Sequence, residues 1–354
     1  MFSLFSKKKP TTATINSQIL TVNPKETLLQ SALRQGFDFP HSCRVGGCAT
    51  CKCKLVSGRV KELTETAYVL SDQDLDEGFI LACQSVPVSD IEVLVDMDRQ
   101  LQRRSVTGKV IDRQTLTADI CRLVIQLDET LLYKPGQYAE ISIASCEQVY
   151  RSYSFATPPQ TDSQISFFVR KVPGGLFSSH VHESNIIGQR VRVDGPLGDF
   201  YLRTAESPLL FVAGGSGLAP ILAILEEGAR LQLKRSVTLV FGARQEKDLY
   251  ALNAIKSISE RWQSTFRFMP VLSDEEGASS WTGKRGLVTD QIEDLLEKDS
   301  HAYLCGPPAM IDKTVSILQL AGIPRDHIYA DRFTTRYDTI GGRHPSDLAA
   351  HQDL

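Results

Sequence analysis

Three cysteines crowd into one short stretch, Cys43, Cys48 and Cys51, spaced C-x4-C-x2-C, and Cys83 stands alone further on. This is the spacing of plant-type [2Fe-2S] ligation, in which two tetrahedral irons need four thiolates converging on one loop. Gly46 and Gly47, between the first two cysteines, let the backbone curl closely around the bridging sulfides. A zinc site would instead need two short-spaced pairs, and Cys83 has neither a cysteine nor a histidine beside it. Cys53 is surplus to the four ligands and reads as a small buried residue.

Two further groups of residues carry weaker signals. Arg151-Ser152-Tyr153-Ser154 is followed by Gly174-Gly175-Leu176-Phe177-Ser178. An arginine can neutralise a pyrophosphate bidentately, a tyrosine can lie along a flavin ring, and a glycine-led turn offers N-H groups to phosphate. Each motif alone is weak, since a strand with Arg and Tyr is more often a solvated face beside a packed ring, and the combination is more informative. Gly214-Gly215-Ser216-Gly217-Leu218-Ala219-Pro220 follows the apolar run LLFVA, and Cys305-Gly306-Pro307-Pro308 follows HAYLC. Glycines at a strand-to-helix junction let phosphate oxygens approach the backbone, where the helix N-terminus adds favourable partial charge. The first loop is not the G-x-G-x-x-G fingerprint, but two glycine loops at the carboxyl ends of strands in one sheet reinforce each other. Cys305 either faces a nicotinamide or is a buried structural thiol.

The elements that must position these residues are legible in outline. Residues 11–22 read as a hairpin. Asn23-Pro24-Lys25-Glu26 carries helix-start signals, with Asn23 as cap, Pro24 at the first position and Glu26 reaching back. Leu28, Leu29, Ala32 and Leu33 form the apolar stripe, and Gly36 suits the stop. The polar stretch 96–104 is read as a linker. From Val106 to about Leu202, short alternating runs between Gly and Pro turns indicate an antiparallel barrel or sandwich. From Pro208 onward LLFVA, VTLVFGA, FRFMPVL, HAYLC and HIYADRF alternate with helical stretches, the pattern of a doubly wound parallel sheet. The polar residues 334–354 read as a loose tail.

Composition excludes other classes. The 354 residues are 42% apolar and 23% charged, enough for two or three cored domains, and the net charge of −3 shows no basic stripe for nucleic acid. No apolar run of membrane-spanning length exists, and the opening MFSLFSKKKP is wrongly ordered for a signal peptide, so a cytoplasmic location is expected. Phe2, Leu4 and Phe5 followed by Lys7, Lys8 and Lys9 read as a frayed terminus or as a contact with an anionic membrane surface.

The ordered set C-x4-C-x2-C…C, R-S-Y-S, G-G-x-x-S, G-G-S-G-L-A-P and C-G-P-P resembles the ferredoxin-NAD(P)+ reductase superfamily in its version with an N-terminal [2Fe-2S] domain. The resemblance covers about residues 12–333. Phe241 to Gln245, Gly283 to Gly286 and Tyr303 to Pro308 make it most similar to the electron-transfer components of xylene and p-cymene monooxygenases. The resemblance implies a β-grasp-like [2Fe-2S] domain (1–97), a linker (98–104), an antiparallel β-barrel FAD domain (105–204), an α/β doubly wound NAD(P) domain (205–333) and a C-terminal tail (334–354). It implies FAD with Arg151 at the pyrophosphate, Tyr153 and Ser154 at the isoalloxazine, and Ser178 with Gly174 and Gly175 at the phosphates. It implies NADH at Gly214, Gly215, Ser216, Gly217, Gly306 and Pro307, with Phe333 covering the flavin where nicotinamide must arrive. Ser154, Cys305 and Phe333 are the candidate catalytic residues, and Cys43, Cys48, Cys51 and Cys83 the metal ligands.

A hydride carries two electrons and an iron-sulfur cluster takes one, so a flavin between them explains three domains in one chain. The expected partner is a terminal oxygenase, a membrane-bound di-iron hydrocarbon hydroxylase by resemblance, which would bring the protein to the inner face of the membrane. A soluble Rieske-type ring-hydroxylating dioxygenase is the alternative partner. A cluster-based redox sensor is a third reading, for which no DNA-binding or partner-binding module is found. For nucleotide choice, Arg244 could meet a 2'-phosphate, whereas Glu246 and Asp248 could accept from a ribose hydroxyl.

Overall fold

Alternating burial along short strands, broken by glycine and asparagine turns, builds the N-terminal region of the computed structural model. It describes residues 9–41, 44–46, 49–64, 66, 69–70, 72–96, 103–146, 149–277 and 279–333. The chain divides into two units between residues 102 and 103. In the first, β1 (Thr11–Ile15) and β2 (Gln18–Val22) form the expected hairpin, with Asn16 and Ser17 at positive φ in its turn. The helix α1 (Leu28–Arg34) begins later than the sequence signals suggest. Lys25 takes φ 70°, off the helical path, so Asn23 to Glu26 closes as a turn in which Glu26 still accepts from the Asn23 N-H at 2.9 Å. Thr27 is the true cap: its hydroxyl accepts from the Gln30 N-H, and the Gln30 side chain accepts from the Thr27 N-H. At the other end the Gly36 and Phe37 N-H groups donate to the Leu33 and Ala32 carbonyls, so Gly36 stops the helix as expected.

Then follow β3 (Lys52–Ser57), β4 (Val60–Glu62), α2 (Asp72–Asp76), β5 (Phe79–Leu81), β6 (Ser85–Pro87) and β7 (Ile91–Leu94). The five-stranded sheet runs β2-β1-β7-β3-β5, with β1 and β7 parallel at its centre and α1 packed on it. Ile15, Leu28, Phe39, Leu70 and Leu81 form its dry core. A mixed sheet with a helix across one face is the β-grasp arrangement expected.

The second unit opens with the long strand β8 (Arg104–Thr115), starting two residues before the alternation recognised at Val106. With β9 (Ile120–Leu127), β10 (Tyr138–Ile143), β11 (Arg151–Ser154), β12 (Gln164–Arg170) and β13 (Arg190–Leu197) it forms an antiparallel sheet ordered β11-β10-β13-β8-β9-β12. An antiparallel bridge between Phe155 and Phe167 joins its two ends, which resolves barrel against sandwich in favour of the barrel. One helix, α3 (Leu176–Glu183), caps it through Phe177 and Val181.

The five apolar runs after Pro208 all become parallel strands, β14 (Leu209–Gly214), β15 (Val237–Ala243), β16 (Phe266–Leu272), β18 (His301–Gly306) and β19 (Ile328–Arg332), joined by a short β17 (Lys284–Arg285) that no apolar run announces. Their order is β17-β16-β15-β14-β18-β19, so the winding reverses between β14 and β18. The helices α4 (Leu218–Arg230), α5 (Leu252–Arg261) and α6 (Pro308–Leu320) connect them. Two buried clusters, one around Phe211 and Phe241 and one around Val212 and Leu304, show that the sheet is covered on both faces. The first cluster also takes in Ile120, Ala156, Phe168 and Phe200 of the barrel. Residues 334–354, read as a tail, lie outside the described residues.

Candidate functional site: three cofactor cradles

Cys51 ends the cysteine loop and Cys83 leaves β5, and both are buried. The two segments are tied together, the Ala82 N-H donating to the Cys51 carbonyl at 3.0 Å. Gln84 links the loop to the lone cysteine: its amide nitrogen donates to the Arg44 carbonyl at 3.4 Å and lies 3.6 Å from the Cys83 sulfur. Arg44, Gly46 and Ala49 all take positive φ, so the described parts of the loop curl back on themselves. A Cβ on Gly46 would lie 2.8 Å from the Gln84 side chain, so glycine is required where the loop meets Gln84. Cys43 and Cys48 fall outside the described residues, which is why no metal-ready group of three ligands stands among those described. The buried thiol pair and the curled loop fit a cluster. Cys53 sits in the core of β3, where burial, then the neighbouring Cys83, pushes its thiol far up, as suits a packing residue.

The second cradle lies on the barrel. β11 is paired on one side with β10, which leaves Arg151 and Tyr153 on one strand face and Ser154 on the other. Arg151 is half-buried, and one of its terminal nitrogens donates to the Tyr150 carbonyl at 2.7 Å. Tyr153 packs its ring 5.6 Å from that of Phe177, at the start of α3. That helix has Gly175 as its N-cap with no side chain closing it, so its first N-H groups remain for an anion. The Ser178 hydroxyl is buried and accepts from the Val172 N-H at 3.0 Å, so it shapes the glycine turn from within. These features fit a dinucleotide: a cation, a ring and an open helix end on one rim.

The third cradle is the edge where the parallel sheet reverses. Gly215–Gly217 form a tight turn into α4, whose N-terminus is also free of a side-chain cap. A Cβ on Gly217 would collide with the Cys305 carbonyl, and one on Gly214 would lie 2.8 Å from the Pro307 ring. Ser216 is buried within the turn. The two glycine loops recognised in sequence are therefore in backbone contact across β14 and β18, at the crevice where such sheets bind nucleotides.

Cys305, Phe333 and Ser154 are brought to one region. Cys305 is fully buried on the sheet face shared with the barrel, and burial with the Asp331 carboxylate pushes its thiol well up, so it remains a neutral thiol. Phe333 packs against the same cluster, and its N-H donates to the Gly306 carbonyl at 2.9 Å. The Ser154 hydroxyl lies 3.4 Å from the Asp331 carboxylate, joining β11 to β19. Asp331 escaped the sequence reading, although it stands two residues before Phe333. Tyr250 escaped it too: its buried hydroxyl donates to the Gly215 carbonyl at 2.8 Å, while its ring stands edge-on to Phe168 of the barrel and Phe241 of β15.

A chain with these three cradles is an iron-sulfur flavoprotein oxidoreductase that uses a nicotinamide nucleotide. Residues 13–88 match the 2Fe-2S iron-sulfur cluster binding domain, 107–201 the oxidoreductase FAD-binding domain and 211–316 the oxidoreductase NAD-binding domain. The chain is 42% identical over 314 residues to the xylene/toluene monooxygenase electron transfer component XylA of Pseudomonas putida, covering 88% of this chain and 89% of that protein. It is 33% identical over 327 residues to the anthranilate 1,2-dioxygenase electron transfer component of Acinetobacter baylyi, covering 89% and 93%. Among solved structures, the Amycolatopsis cytochrome P450 reductase GcoB aligns over 92% of this chain and 99% of its own, with a TM-score of 0.68 at 31% identity. The chain belongs to the family of [2Fe-2S], FAD and NAD reductases that act as electron-transfer components.

Proposed function

We propose that this chain is the NADH-dependent reductase of a multicomponent oxygenase and that its terminal component is a membrane-bound di-iron hydrocarbon hydroxylase. The observation that carries the reading is the presence of all three cradles in one chain that resembles a xylene/toluene monooxygenase component along most of both lengths. When bound, the groups supply a hydride from nicotinamide, a flavin that takes both electrons and releases them singly, and a cluster that carries one at a time.

The chain's own residues do the rest. Arg151 and the open end of α3 hold the flavin's pyrophosphate, and Tyr153 with Ser154 borders its ring. Gly214, Gly215, Ser216 and Gly217, with Gly306 and Pro307, admit the nicotinamide nucleotide's phosphates to the backbone. Phe333, anchored to Gly306, would cover the flavin where nicotinamide must arrive, and neutral Cys305 lines the same region without ionising. Cys43, Cys48, Cys51 and Cys83 ligate the cluster.

Among the described residues no helix is long and apolar enough to cross a membrane; in this reading the partner brings the protein to the membrane. The test is reconstitution: purified protein with NADH, added separately to membrane and soluble fractions of cells expressing candidate terminal oxygenases of each kind. Hydroxylation confined to the membrane fraction supports the reading. The anthranilate dioxygenase component favours a second reading, a soluble ring-hydroxylating partner, and product formed only in the soluble fraction would select it.

A further inference from the structure

Arg244 closes β15 at the position where, in doubly wound sheets, the ribose of a dinucleotide is recognised. A free arginine there would favour a 2'-phosphate, but this one is doubly engaged. Its Nε lies 3.2 Å from the Asp248 carboxylate, and its Nη2 lies 3.2 Å from Oδ2 of Asp119. Asp248 belongs to the same loop. Asp119 does not: it stands in the β8–β9 turn of the barrel, where Thr117 donates to its other oxygen at 3.1 Å and Arg170 approaches at 3.4 Å.

The rest of the edge is also set against a phosphate. A cleft of about 490 Å³ beside Arg244 is lined by Gln245, Glu246, Lys247, Glu275, Glu276 and Ser279. The Glu246 N-H, which could serve a phosphate oxygen, already donates to Glu275 at 2.8 Å. Lys247 and, further along, Arg285 are outnumbered by the carboxylates around them.

We propose that Asp119, a residue of the FAD barrel, is a specificity-determining residue for NADH over NADPH, because it holds Arg244 away from the 2'-phosphate. The inference rests on the nucleotide lying at the Gly214–Gly217 edge. It means that preference is written partly outside the nucleotide domain. A ribose hydroxyl meets acceptors at this edge, whereas a 2'-phosphate must break an ion pair and face the carboxylate it releases.

The experiment uses the full-length, FAD-loaded protein. Asp119→Asn keeps the shape and the Thr117 contact while removing the charge. It should raise the NADPH-to-NADH ratio of kcat/KM by about three- to fivefold and tighten competitive inhibition by 2',5'-ADP relative to 5'-AMP to a similar degree. Adding Arg244→Ala should cancel both gains. An unchanged ratio overturns the proposal, as does a gain that survives Arg244→Ala. A uniform loss with both nucleotides would show that Asp119 only braces the domains. If neither ADP nor AMP competes with NADH in the wild type, the nucleotide edge itself is misassigned and this inference falls with it; if 5'-AMP competes normally, the edge stands and the variants judge Asp119 alone.

Discussion

In the proposed order Cys83 serves the cluster and Arg151 the flavin, so their loss should affect the electron path differently. In the proposed scheme hydride transfer to flavin needs only the barrel and the parallel-sheet domain, each with its own buried core. Cys83→Ala should therefore keep NADH-dependent ferricyanide reduction while cytochrome c reduction falls by at least about tenfold, since a lost thiolate removes both a bond and a charge. If cytochrome c reduction persists without the cluster, electrons leave from the flavin and the proposed order is wrong. Arg151→Ala should show the reverse: iron retained, and both activities lost with FAD but recoverable at high FAD. Among the described residues its side chain donates to one carbonyl, that of Tyr150, so stability should change little.

At the scale of elements, the tyrosine after the 3-10 turn at Glu246–Asp248 fixes the glycine loop. Tyr250→Phe keeps the ring edge-on to Phe168 and Phe241 but releases the Gly215 carbonyl. A buried hydrogen bond is worth about 1 kcal/mol, so KM for NADH should rise about fivefold with kcat little altered. An equal fall in kcat with unchanged KM would place Tyr250 in the chemistry instead. The start of β18 carries a different device. His301 is buried, its ring centroid 4.2 Å from that of His327, and burial first, then His327 and Arg235, pushes its pKa down from 6.5 to about 4. The fold thus favours neutral His301, and its stabilising share is complete above about pH 6.5 and lost as pH falls toward 4. The melting temperature of the reductase unit should drop across that window, and His301→Phe should flatten the drop; an unchanged slope would assign the acid sensitivity elsewhere.

For the whole molecule, the division between residues 102 and 103 makes a direct experiment possible. Residues 103–354 expressed alone should be yellow, bind about one FAD and reduce ferricyanide with NADH. The complete chain should be red-brown with about two irons in addition. A colourless fragment with an intact melting transition would mean that the barrel cradle needs the N-terminal unit. Attachment to membranes belongs to this scale as well: the protein should sediment with vesicles only when the hydroxylase is present in them.

Much of the architecture was legible because its signals are local. The cysteine spacing specified a cluster, period-two alternation specified the barrel strands, and five apolar runs between helical stretches specified the parallel sheet. The glycine loops announced their place because only a strand end meeting a helix start uses that pattern. One local signal misled: Asn23 and Pro24 resemble a helix start, yet Lys25 at positive φ leaves Thr27 and Gln30 to form the cap. What the tertiary structure alone decided are pairings between distant segments. Ser154 meets Asp331 across 177 positions, Tyr250 supports Gly215, and Asp119 of the barrel claims Arg244 of the nucleotide domain. Cys305, undecided by sequence between core and site, proves to be a buried thiol on the face that the parallel sheet shares with the barrel. Residue types and spacing say which chemistry a segment can perform. Which partner neutralises a given charge depends on how the closed barrel and the wound sheet pack together, and no local pattern encodes that.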